Sequence, residues 1–145
     1  MYLVASRNFK CSFHTAKTLF YKSFNSVFGR VGRLASEEVI VELLQAKCLP
    51  VILYGLDACP LNAADKHSLD FVLNRSLMKI FKTGSLPVVD ECRWAFNLKL
   101  LSETVVDRKI NFLLKYSCCI NIVCKLFATE AVRERGQLLL TKQLG

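Results

Sequence analysis

Phe20, Phe24, Phe28 and Val31 fall at i, i+4, i+8 and i+11, with Val27 beside them. Such spacing puts one apolar stripe on an α-helix, here over residues 15–32, with Lys17, Lys22 and Arg30 off the stripe. Gly29 and Gly32 stand where a left-handed residue can close it. The helical period then recurs along the chain. Ser36 is placed to cap a second helix, with Glu37 and Glu38 in its first turn, where the helix dipole favours acids. Val39, Ile40, Leu43, Leu44 and the stem of Lys47 form its apolar side. Pro50 lacks an amide donor and crowds the preceding turn, so this helix is expected to kink there and continue through Tyr54.

Asn62 caps the next helix, with Asp65 near its start and a stripe of Leu69, Val72, Leu73, Leu77, Ile80 and Phe81. Lys66, Arg75, Lys79 and Lys82 lie outside that stripe, and Gly84 and Pro87 stop the helix. A shorter helix spans about Val88 to Phe96 and carries Trp94, the only tryptophan. Ser102 caps another, with Glu103 in its first turn and Val105, Val106, Ile110, Leu113 and Leu114 inside. Asn121 and Thr129 flank a short apolar stretch, and a helix-prone tail follows over residues 130–145. Tyr2-Leu3-Val4 reads as a short strand that needs partners. The expected fold is all-α, a bundle of five or six helices, with that strand at its N-terminal end. The expected divisions are residues 1–14, 15–127 and a tail over 128–145.

The charge is one-sided. Residues 1–36 hold Arg7, Lys10, Lys17, Lys22, Arg30 and Arg33 and no acid, whereas the rest carries 14 bases against 12 acids. A concentrated positive field of this kind attracts a polyanion. At 52% hydrophobic and 22% charged, the chain is not of the disordered class. No apolar run approaches the length of a membrane span. Met1 to Ala5 lacks the basic and apolar regions of a secretory leader, so an intracellular, nuclear or cytoplasmic, setting is expected. The cysteines, Cys11, Cys48, Cys59, Cys92, Cys118, Cys119 and Cys124, then read as reduced thiols that mostly serve as small buried hydrophobes.

A search for chemistry finds little. No C-x-x-C pair exists, and His14 and His67 lie at no ligand spacing to a cysteine pair, so no metal site is expected. Glu38 and Glu42 share a helix face without a third oxygen ligand. There is no G-x-S-x-G elbow, Cys11 and His14 are close only in sequence, and Gly29 and Gly32 follow a helix rather than a strand.

Longer strings are more specific. They run from Ala16-Lys17 through Phe20-Tyr21-Lys22-Ser23-Phe24 to Gly29, over Ala35-Ser36-Glu37-Glu38-Val39, from Lys47 to Leu61, and over Ser68 to Arg75. The Leu49-Pro50-Val51-Ile52-Leu53-Tyr54-Gly55 core, upstream of Asn74-Arg75 and Lys79-Ile80-Phe81, carries most of the weight. Together they resemble the region downstream of the palm in reverse transcriptases of non-LTR retrotransposons, over about residues 2–127. Tyr2-Leu3-Val4 is similar to the last palm strand, with Val4 where glycine is common.

Members of that family are RNA-directed DNA polymerases whose palm aspartates hold two Mg²⁺ ions. The paired-aspartate motif has no counterpart in these 145 residues. The resemblance therefore implies the thumb and following helices of a transposable-element polymerase. It implies no cofactor in this chain and no polymerisation by it alone. Its partner would be an RNA or RNA–DNA duplex held by its backbone, or a palm-like or other protein, with no membrane. Arg7, Lys10, Lys17, Lys22, Arg30 and Arg33 are the candidate phosphate contacts. The alternative is a helical protein–protein interaction module with no nucleic-acid role.

Overall fold

The computed structural model describes residues 2–4 and 10–144. Within them the chain is an all-α bundle with one small ladder at its N-terminal end. Strands β1 (Tyr2–Val4) and β2 (Lys10–Ser12) pair antiparallel, with Tyr2 opposite Ser12 and Val4 opposite Lys10. The Tyr2-Leu3-Val4 strand thus finds its partner in Lys10–Ser12. The helices are α1 (His14–Val31), α2 (Glu37–Leu43), α3 (Leu49–Leu53), α4 (Ala63–Ile80), α5 (Leu86–Ala95), α6 (Leu101–Ser117), α7 (Ile122–Leu126) and α8 (Ala128–Leu144). The chain divides into two compact units, residues 1–102 and 103–145. Among the described residues no helix is long and apolar enough to cross a membrane.

In the first unit α1 packs against α2, α3 and α4. Phe20 and Phe24 are buried in α1 as the period requires, and the rings of Phe20, Phe24 and Phe28 stack in sequence along it. Gly32 ends α1 with a right-handed φ of −64°, not the left-handed one expected. Its reason for being glycine is space: a Cβ there would meet the Phe28 carbonyl oxygen at 2.5 Å.

The second helix does run through Pro50, by a device more specific than a kink. Residues Leu44–Cys48 form a π-helical turn between α2 and α3, in which the Leu49 amide reaches back to the Leu44 carbonyl. A π turn holds one residue more than an α turn, so it widens the backbone where the proline ring would otherwise strike the carbonyl of Ala46. The extra residue also moves the buried face. Ile40, Leu44, Cys48, Ile52 and Leu56 lie inside at steps of four, and Val41 joins them. Lys47 and Val39, expected on the apolar side, are exposed. The run then closes in a type II turn. Tyr54 (φ −61°, ψ 119°) precedes Gly55 (φ 75°, ψ 0°), a backbone that glycine adopts without strain.

α4 buries its stripe of Leu69, Val72, Leu73, Leu77 and Ile80, with Ser76 returning its hydroxyl to the Val72 carbonyl at 3.1 Å. Asn62 makes the expected cap as a full capping box. Its side chain accepts from the Asp65 amide at 2.7 Å, and the Asp65 carboxylate accepts from the Asn62 amide at 3.2 Å.

Both helix stops in this region differ from the expected ones. Lys82, not Gly84, takes the left-handed position after α4 (φ 52°), and the Thr83 amide closes on the Met78 carbonyl at 3.1 Å. Pro87 lies in the first turn of α5, where its missing donor costs nothing, so it opens a helix instead of ending one. α5 ends in a Schellman motif, with Asn97 left-handed and the Leu98 amide bonded to the Arg93 carbonyl at 2.8 Å. Ser102 lies inside the first turn of α6, and its amide is capped by the Asp70 carboxylate of α4 at 2.9 Å.

In the second unit Val105, Ile110, Leu113 and Ala131 are buried, while Leu114 and Val132 are exposed. Lys109 pairs with Glu134 at 2.5 Å, and Lys142 with Asp107, joining α6 to α8. Asn121 caps α7 by accepting from the Val123 amide at 2.9 Å. Of the described cysteines only Cys48 and Cys59 are fully buried. The expectation that the cysteines are mostly buried is thus not met: Cys92 and Cys124 are half-buried, and Cys118 and Cys119 are exposed where the chain turns after α6.

Candidate nucleic-acid interface

Six bases were expected to act together. Arg7 and the side chain of Lys10 lie outside the described residues. Lys17 sits on the packed flank of α1, where its ammonium donates to the Ser68 hydroxyl of α4 at 2.5 Å. It belongs to the seam between the two helices. Lys22, Arg30 and Arg33 are exposed and make no ion pair among the described residues. At 100° per residue, Lys22 stands about 160° from Phe20, opposite the buried stripe, and Arg30 about 80° from Phe20, on its flank. They are separated by about 12 Å along the axis, a reach of several phosphates on a strand whose charges recur every ~3.4 Å. Arg33 is exposed in the turn beyond α1.

The side chains between them suit a backbone contact. Ser26 and Gly29 are exposed, and nothing lies within 4 Å of where a Gly29 Cβ would be. No acid occurs on α1.

Two further cations join this surface from α4. A cleft of about 450 Å³ between α1 and α4 is lined by Tyr21, Asn25, Arg75, Met78, Lys79 and Thr83 among others, with no carboxylate. Lys79 donates to the Asn25 side-chain oxygen at 3.0 Å and stands 5.1 Å from the Phe28 ring centroid and 5.8 Å from that of Phe24. The Arg75 guanidinium lies 5.8 Å from the Phe71 ring centroid. These aromatic contacts orient the cations without neutralising them. Burial pushes the Tyr21 hydroxyl above its ordinary value, partly offset by the Arg75 charge, so it remains a neutral donor at the cleft wall. Around α1, Asn25 lies about 60° from Lys22 and about 140° from Arg30, so the cleft opens on the Lys22 side.

Arg75 and Lys79 were not among the expected contacts. The signal was present: two like charges at i, i+4 on one helix, an arrangement that costs a few tenths of a kcal/mol unless something uses or offsets it. Their placement beside α1 is a tertiary fact, because Lys79 and Asn25 are 54 residues apart. The acids of α4 take other duties, Asp65 in the capping box and Asp70 at the start of α6. Among the described residues no three His, Cys, Asp or Glu side chains converge as a metal site requires.

The arrangement is a group of cations with flanking hydroxyl and amide groups and no carboxylate in the cleft. It can neutralise phosphates and donate hydrogen bonds to them. No protein-family model, no curated protein and no solved structure matches the chain.

Proposed function

We propose that this chain is a thumb-like helical module of the kind found in reverse transcriptases of non-LTR retrotransposons. Its task is to hold an RNA or RNA–DNA duplex by the sugar–phosphate backbone. The observation that carries the reading is the exposed Lys22 beside the carboxylate-free α1–α4 cleft that holds Arg75 and Lys79, with Arg30 and Arg33 also exposed at the end of α1 and beyond it. The strings that resemble the family contribute to it, since Lys22 lies in the first and Arg75 ends the last. Polymerisation is not assigned to these residues.

Binding of this type releases counterions. Titration of a labelled RNA–DNA duplex at several salt concentrations tests it. Affinity should fall with a log–log slope of about −4 to −5, near 0.9 for each neutralised phosphate, and should not depend on sequence. A slope near zero, or a strong sequence preference, would reject the reading.

A second reading, a helical module that docks on a protein, is favoured by the exposure of Ile120, Ile122, Val123, Leu126 and Phe127 within eight residues. Self-association together with indifference to nucleic acid at low salt would select it.

A further inference from the structure

The polar lining of the α1–α4 cleft is built of donors whose own acceptors are already taken. Lys79 gives one of its three ammonium protons to the Asn25 side-chain oxygen at 3.0 Å. With that oxygen occupied, Asn25 has its NH₂ group left to donate. The Thr83 hydroxyl accepts from the Ser85 amide at 3.2 Å, which leaves its own proton to be given elsewhere. Arg75 carries five N–H donors and no acceptor. Neither Arg75 nor Lys79 makes an ion pair among the described residues, and no carboxylate lines the cleft.

The two cations stand at i and i+4 on one side of α4, with Cβ atoms about 6 Å apart, so side chains of their length can close on a single anion. The Phe24 and Phe28 rings, 5.8 Å and 5.1 Å from the Lys79 ammonium, hold it in place without neutralising it.

We propose that this cleft takes a nucleotide phosphomonoester, the group that ends a phosphorylated nucleic-acid strand, and that Arg75 and Lys79 bind it together. The proposal rests on the reading of this surface as phosphate-binding and names what its interior selects. Size and charge decide the selection. A cleft of about 450 Å³ lies toward the small end of ligand pockets, about 300–1,000 Å³, so it admits one nucleotide-sized unit and not a base-paired segment. A duplex crossing the mouth sets one diester charge against each cation. A terminal phosphate enters, carries a charge of about −1.5 to −2 near neutral pH, and offers three acceptor oxygens to the donors of the wall.

Duplexes of one sequence with a 5′-phosphate, a 3′-phosphate or hydroxyl ends alone, labelled at an internal base, are titrated against the full chain at low salt. At least one phosphorylated duplex should bind about tenfold more tightly than the hydroxyl form, the size of one hydrogen bond to a charged group. Arg75→Gln with Lys79→Gln should bring all three to one affinity. Lys22→Gln with Arg30→Gln should weaken all three and keep the ratio, circular dichroism confirming the helicity of each variant. A second arm needs no duplex. Adenosine monophosphate should shift the amide resonances of Asn25, Arg75 and Lys79 saturably, and adenosine should not. Equal affinity for the three duplexes, with steep salt dependence kept, overturns the proposal and leaves the backbone reading in place. Saturable monophosphate binding without duplex affinity supports the cleft site and rejects the backbone reading. A preference that survives the Arg75 and Lys79 substitutions overturns the proposal, as do inorganic phosphate bound as tightly as the monophosphate and no response to the monophosphate.

Discussion

Two glycines and one lysine show how a single backbone angle or a single missing atom is decided. Gly55 supplies the φ of 75° that a type II turn demands at its third residue. A Cβ in that region costs about 1–2 kcal/mol, so Gly55→Ala should lower unfolding free energy by that amount in urea titrations. Lys82 occupies the same region without glycine's freedom (φ 52°). Lys82→Gly should therefore stabilise the protein by up to about 1 kcal/mol in the same titrations, a gain limited by the greater entropy of glycine in the unfolded chain. Gly32 is a different case, since its φ is ordinary and only the nearby Phe28 carbonyl excludes a side chain. The residue type was legible at all three positions. Its cause was not, because φ and clearance depend on how the next segment leaves the helix.

At the scale of elements, local chemistry and packing share control. The capping box at the start of α4 is wholly local: Asn62 and Asp65 satisfy each other's amides across three residues. Asn62→Ala should cost about 1 kcal/mol, read as a shift in the denaturation midpoint with an unchanged slope. The start of α6 is the opposite case. Ser102 has the chemistry of a cap, yet the carboxylate at that helix end comes from Asp70, 32 residues earlier. The π turn at Leu44–Cys48 likewise defeats a strict 3.6 period. The turn that widens the backbone before Pro50 is also where the extra residue keeps Leu44, Cys48 and Ile52 on one buried face.

For the molecule as a whole, charge governs two behaviours. The first is the duplex binding proposed above: Arg75→Gln with Lys79→Gln should reduce the salt slope of that affinity by about two, one for each phosphate left without its cation. An unchanged slope would confine binding to α1. The second is alkaline stability. Burial pushes the Cys48 thiol above its ordinary value, with the Ser23 hydroxyl, 3.5 Å away, acting weakly in the other direction. Above the ordinary thiol value the unfolded chain releases this proton while the folded chain keeps it. The unfolded state then binds fewer protons, so stability is intact below that value and falls as pH rises through the folded one. Urea unfolding from about pH 7 to about pH 10 should show the decline, and Cys48→Ala should make it shallower. Burial acts in the same sense on Tyr21 at higher pH.

The order of residues by itself determined that this chain is a helical bundle, where most helices lie, and that its positive charge is concentrated early. Those properties depend on neighbours within a few turns, which periodicity, caps and composition report directly. Only the tertiary structure decided which cations are free. Lys17, with the same charge as Lys22, is held in the α1–α4 seam by Ser68, while Lys79 comes beside α1 from far along the chain. Helix faces are set by local spacing, but which faces meet is set by long-range packing, and a binding surface assembled from two helices exists only after they have paired.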